Sequence, residues 1–109
     1  MQGFWTVQFS GVQGFGAGVL TFVNGQVFGG DSGMLYTGTY SQQGNTVTAH
    51  IHIERFAATP SMQSVMGPNT FDLDVTGTVL GDTATVAGVI PGTPMRLNAT
   101  LTKRSNLAA

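Results

Sequence analysis

The run Thr46-Val47-Thr48-Ala49-His50-Ile51-His52-Ile53-Glu54-Arg55-Phe56 decides the fold. Val47, Ala49, Ile51 and Ile53 recur at every second position, and Thr48, His50, His52 and Glu54 fill the positions between them. A strand sends successive side chains to opposite faces, whereas an amphipathic helix needs apolar spacings of three and four. The segment reads as a strand with one face turned to a core. The same rhythm continues downstream. Phe71, Leu73, Val75 and Val79 alternate with Asp72, Asp74, Thr76 and Thr78, and Gly81-Asp82 then turns the chain into a strand over 83–90. Gly92-Thr93-Pro94 makes a further turn, after which Met95, Leu97, Ala99 and Leu101 alternate with Arg96, Asn98, Thr100 and Thr102.

Upstream the pattern is equally regular. Gly44-Asn45 precedes the deciding strand, and before it Tyr36, Gly38 and Tyr40 alternate with Thr37 and Thr39. Gly29-Gly30-Asp31-Ser32-Gly33 reads as a turn, which leaves 26–29 as a short strand. That strand follows Asn24-Gly25, the strongest short hairpin signal, because both central residues of a type I′ turn need positive φ. A strand over 15–23 enters this hairpin, and the first strand, 3–10, places Trp5, Val7 and Phe9 on one face. Glycine-centred turns every 8 to 12 residues or so mark an all-β sandwich or barrel. Short connections imply sequential hairpins, and closure removes the exposed edges, so the expected fold is an eight-stranded antiparallel up-and-down barrel. One domain spans 1–104 and 105–109 reads as a disordered tail.

The one long connection is 57–69. Thr59 is placed to cap a short helix with Pro60 at its first position, and Gly67-Pro68 to end it, giving a helix or lid with Met62, Val65 and Met66 on one face. Long loops of this kind cover a barrel mouth or contact a partner.

Composition narrows the function. The chain has 109 residues, and only 8% of them are charged, against roughly 25% in an average globular protein. Its basic residues, Arg55, Arg96, Lys103 and Arg104, form no stripe able to neutralise a row of phosphates, which argues against nucleic-acid binding. With so little charge to oppose self-association, a homo-oligomer is expected. Cysteine is absent, so disulfides, thiolate metal sites and cysteine nucleophiles are excluded. No window reaches the roughly 18 apolar residues of a membrane helix, and Met1-Gln2-Gly3-Phe4-Trp5 has neither a basic start nor an apolar run. A soluble cytoplasmic protein without membrane contact is the expectation.

Several motifs invite chemistry. Gly30-Asp31-Ser32-Gly33 matches the nucleophile tetrapeptide of trypsin-like proteases, but that fold needs two barrels, and both histidines here follow the serine rather than precede it. It reads as a turn. Gly14, Gly16 and Gly18 would cradle a phosphate only ahead of a helix, and a strand follows them. Asn98-Ala99-Thr100 is a glycosylation sequon set within a strand. His50, His52 and Glu54 share one face of their strand, with Asp72 and Asp74 on the polar face of the expected neighbour. Such a set is either a solvated outer surface with cross-strand pairs or the ligand set of a metal-dependent hydrolase.

Gly3-Phe4-Trp5 resembles the Gly-x-Trp of lipocalins and other calycins, which implies that Trp5 closes the barrel base under Lys103 or Arg104 through a cation–π contact. Gly16-Ala17-Gly18-Val19-Leu20, Asn24-Gly25, Gly29-Gly30-Asp31, Tyr36-x-Gly38 and His50-Ile51-His52 together resemble the GrlR-type negative regulators of type III secretion in order and spacing. This likeness covers about the first half of the chain. It implies a small bacterial calycin-like barrel that acts as a homodimer and holds a transcriptional activator inactive by direct contact. The acidic cluster that one such regulator carries in the turn before the His-x-His strand is replaced here by Gln42-Gln43-Gly44-Asn45, so no charge is present there to grip a basic partner.

Three functions follow as expectations. The first is a non-enzymatic regulator acting by protein contact, with Tyr36, Tyr40, His50, His52, Glu54, Met62 and Met66 as the binding residues. The second is a carrier of a small apolar ligand in the barrel lumen, although Trp5, Phe9, Phe22, Tyr36, Tyr40, Phe71 and the loop methionines Met62 and Met66 carry enough bulk to fill it. The third is the metal-dependent hydrolase on the His-x-His-x-Glu strand. No cofactor is expected for the first two.

Overall fold

A computed structural model describes residues 1–11, 14–57 and 70–107. Eight strands form a closed barrel: β1 (Gly3–Gly11), β2 (Gly14–Val23), β3 (Gln26–Gly30), β4 (Met34–Gln43), β5 (Thr46–Arg55), β6 (Thr70–Leu80), β7 (Thr83–Val89) and β8 (Arg96–Ser105). Each pairs antiparallel with the next, and β8 returns to β1. Among the described residues no helix occurs.

Turn chemistry sets the two ends apart. Two-residue turns at 24–25, 44–45 and 81–82 gather at one end, here the lower, beside the start of β1 and the end of β8. Asn24 at φ 50° and Gly25 at φ 78° are both left-handed, the requirement of a type I′ hairpin. The connections β1–β2, β3–β4, β5–β6 and β7–β8 lie at the opposite, upper end.

The period-two pattern partitions every strand. Val47, Ile51 and Ile53 of β5 face inward with Phe71, Leu73, Val75 and Val79 of β6, and all are buried. Trp5, Leu20, Phe22, Val27, Ala84 and Leu101 join them from the other strands. Each fully buried aliphatic or aromatic side chain of this kind contributes roughly 1.5–3 kcal/mol. Closure leaves β1 and β8 paired, so the barrel has no free edge from which to aggregate.

The structure departs from the sequence reading at four places. Gly29 and Gly30 are strand residues paired with Tyr36 and Leu35, and the turn proper is Asp31-Ser32-Gly33. The Asp31 carboxylate accounts for this: Oδ1 accepts the N–H groups of Gly33 at 2.9 Å and Met34 at 2.8 Å, which folds the chain immediately after Gly30. Ser105 is no part of a tail, because β8 extends to it and pairs it with Phe4 past a bulge at Arg104 of β8. No cation–π contact on Trp5 is present among the described residues. Trp5 meets Phe22 edge-on at 6.1 Å and donates from Nε1 to the Met1 carbonyl at 3.0 Å, while Arg104 Nε donates to Thr6 Oγ1 on the outer face and Lys103 packs against Gly3. The fourth departure, an unfilled lumen, is the candidate site described next. The expected helix or lid, with Met62, Val65 and Met66, falls on residues outside those described.

Candidate functional site

Phe9 and Tyr36 determine whether the barrel is solid. Both face inward, and both sit beside glycine on β2. A β-carbon on Gly16, the cross-strand partner of Phe9, would stand 2.6 Å from Phe9 Cε2. A β-carbon on Gly18 would stand 3.1 Å from the Tyr36 hydroxyl. The two rings therefore lie down on the bare backbone of β2 instead of meeting across the axis, an arrangement known for aromatic residues opposite strand glycines. Space remains beneath them. Against the expectation that aromatic bulk fills the barrel, the lumen holds a cavity of about 350 Å³.

The cavity walls are apolar for most of their height. Val7, Leu20, Val47, Ile51, Leu73 and Leu101 line it, and Ala49, Ala99 and Gly16 keep it wide. Its floor is built from Phe22, with Trp5 edge-on below it and Tyr40 edge-on at 5.1 Å. Among the described lining residues the polar side chains, those of Asp31, Ser32, Tyr36 and Arg55, stand at the upper end.

These polar groups form one assembly. The Tyr36 hydroxyl donates a hydrogen bond to Asp31 Oδ2, while Asp31 Oδ1 is held by the turn amides. Gly33 O in turn accepts from Phe56 N at 3.0 Å, which ties the turn to the end of β5 and to Arg55. Arg55 stands opposite Met34 in the register and donates to the Ala57 carbonyl. Burial, then the hydrogen bond to Asp31 and its negative charge, push the Tyr36 phenol well above its ordinary value. The hydroxyl stays protonated and its proton stays on the Asp31 side.

His50, His52 and Glu54 occupy a different place. They lie on the outer surface, where the β5–β6 register sets His50 opposite Asp74 and His52 opposite Asp72. Each histidine Nδ1 donates to its aspartate at 2.8 Å, and all four side chains are about half exposed. Among the described residues no group of three or more His, Asp and Glu side chains converges as a metal set. The outer face is thus a ladder of two cross-strand pairs. Tyr40, at the floor, and Tyr36, at the upper lumen, are not brought to that ladder, and Met62 and Met66 lie outside the described residues.

Neither a protein-family model nor a curated protein matches the chain. Sequence reasoning missed Asp31 and Arg55 as lumen residues, and one signal for each was present: Arg55 continues the inward series Ile51, Ile53 at the same spacing of two, and Asp31 sits in the turn leading into the Tyr36 strand. Gly16 and Gly18 continue the inward series of Leu20 in the same way.

A second surface feature is apolar. Phe4, Val19, Phe28 and Leu35 are 39–46% exposed, and the register makes them neighbours: Phe4 and Phe28 both flank Thr21, and Val19 and Leu35 both flank Gly30. No helix long and apolar enough to cross a membrane is found among the described residues.

Proposed function

We propose that the protein is a non-enzymatic carrier that holds one small apolar molecule in the barrel lumen. The supporting observation is the cavity itself: about 350 Å³, walled by aliphatic side chains, with the polar side chains among the described lining residues gathered at one end. That size lies at the low end of the roughly 300–1,000 Å³ of ligand pockets, and the few convergent polar groups match their usual make-up. A protein that needed only a stable barrel gains nothing from such a space, since unfilled lumen forfeits packing at about 24 cal/mol per Å³. Native mass spectrometry of protein purified from its own host tests the reading. A retained small molecule, released by organic solvent, is the expected result. Empty protein that also fails to take up naphthalene at its solubility limit rejects the proposal.

The outer apolar patch favours a second reading. Phe4, Val19, Phe28 and Leu35 form the kind of contiguous exposed surface that marks protein contact. Together with the resemblance to GrlR-type regulators, it supports a cytoplasmic homodimer that works on a transcriptional activator in type III secretion. Sedimentation equilibrium of wild type and Phe28→Asp decides the dimer: wild type should sediment as a dimer and the variant as a monomer, and a monomeric wild type removes this reading.

A further inference from the structure

At the lumen's polar end the Asp31–Tyr36 pair has a definite hydrogen-bonding sign. Tyr36 has one hydroxyl proton and gives it to Asp31 Oδ2, so toward the cavity its oxygen only accepts. Asp31 Oδ1 is saturated by two backbone amides, and Oδ2, with Tyr36 on one side, keeps a lone pair. Both groups line the cavity. A ligand whose polar end only accepts, such as a ketone, ester or carboxylate, finds no donor in this pair, sets oxygen against oxygen, and has only Ser32 and Arg55 to turn to among the described lining residues. A ligand that donates is matched.

Charge separates the possible donors. Asp31 and Arg55 stand at the same end of the lumen, so the rim carries one formal charge of each sign. An ammonium head gains from Asp31 and loses to Arg55, and either charged head gives up its hydration on entering a cavity walled by aliphatic carbon. A neutral hydroxyl has no such cost and supplies one donor and two lone pairs. Volume limits the remainder of the molecule. An apolar cavity of about 150 Å³ takes one benzene, so about 350 Å³ takes a body of roughly two fused rings or a comparable alkyl chain.

Building on the carrier reading, we propose that the ligand is a neutral alcohol or phenol of about that size, with its hydroxyl on the Asp31–Tyr36 pair and its body down the barrel axis. Gly18 then has a specific part: it lets the Tyr36 ring lie against β2 with its hydroxyl at the lumen wall.

The test is a matched series on the full chain at neutral pH, read by equilibrium binding: naphthalene, 2-naphthol, 2-naphthoate and 2-(aminomethyl)naphthalene, which is cationic there. Naphthalene reports the lumen alone. 2-Naphthol should bind roughly three- to tenfold more tightly than naphthalene, as one net hydrogen bond allows, and both ions more weakly than 2-naphthol. Tyr36→Phe keeps the ring on Gly18 and is read by the ratio of 2-naphthol to naphthalene affinity, which should fall toward one. Naphthalene binding with no advantage for the naphthol, or with the naphthoate or the ammonium preferred, overturns the head-group assignment and leaves the carrier reading standing. Failure of all four to bind overturns both. The wild-type series is decisive by itself if Tyr36→Phe does not fold.

Discussion

The ring of Phe9 lies on Gly16, its partner across the β1–β2 ladder, so closely that a β-carbon there would come within 2.6 Å of the ring. This pairing, repeated one step down where Tyr36 lies on Gly18, keeps the lumen hollow. Whether the barrel is a solid core or a container rests on two residues without side chains.

Gly16→Val is therefore expected to fold and to bind poorly. The atoms in the way are the far edge of the Phe9 ring, which swings inward when displaced and occupies the space a ligand needs. Naphthalene affinity should fall by at least about tenfold while the thermal midpoint moves by only a few degrees, checked by titration and calorimetry on the same preparation. Unchanged affinity would show that the ring does not control the cavity.

Gly38 and Gly88 separate space from backbone. A β-carbon on Gly38 would run into the His50 carbonyl oxygen and come 2.9 Å from Ile51 Cα, both main-chain atoms of β5. On Gly88 it would meet side-chain carbons of Val75 and Leu73 at 3.4 and 3.5 Å. Urea unfolding should place Gly38→Ala about 1–3 kcal/mol or more below wild type, whereas Gly88→Ala should stay within about 1 kcal/mol of it.

Tyr36 gives the barrel an alkaline limit. Its phenol is raised above the ordinary value in the folded state, so its contribution is fully present below pH 10 and is lost as pH rises through the folded-state value. Above pH 10 the unfolded chain releases this proton and the folded chain keeps it, which costs up to about 1.4 kcal/mol of stability per pH unit. Tyr36→Phe should be less stable than wild type at pH 7 by about 1 kcal/mol and should lack this component of the alkaline loss, as measured by denaturation from pH 8 to 11. Parallel stability curves for the two proteins would contradict the assignment.

The pairs His50–Asp74 and His52–Asp72 are expected to matter little to stability. All four side chains are 43–56% exposed, where solvent screens the attraction. A double-mutant cycle to alanine on either pair should return a coupling below about 1 kcal/mol, smaller still in 1 M salt. A coupling several times larger would point to a structural or ligand role for the ladder.

Much of this was legible in the chain itself. The alternation of Val47, Ala49, Ile51 and Ile53 with Thr48, His50, His52 and Glu54 determined which side of β5 is interior, because side-chain direction in a strand is a local property of the backbone. Asn24-Gly25 determined a hairpin for the same reason: positive φ is demanded by the turn and supplied by those two residues. Eight such segments, all but one joined by short connections, determined a closed barrel and set Asp72 and Asp74 on the same outer face as His50 and His52, while the register that pairs them one to one came from the structure.

The interior was decided by tertiary structure alone. Counting aromatic residues gives their volume but not their direction, and the rings of Phe9 and Tyr36 turn aside where the pairing and curl of β1 to β4 bring Gly16 and Gly18 of β2 beneath them. Asp31 reads as a turn residue and Arg55 as one more surface charge until the turn after β3 and the end of β5 are joined by the hydrogen bond from Phe56 to Gly33. A cavity is a property of the space between segments distant in sequence, so no local pattern encodes it. The strands follow from their own residues, and the room they enclose follows from how those residues meet.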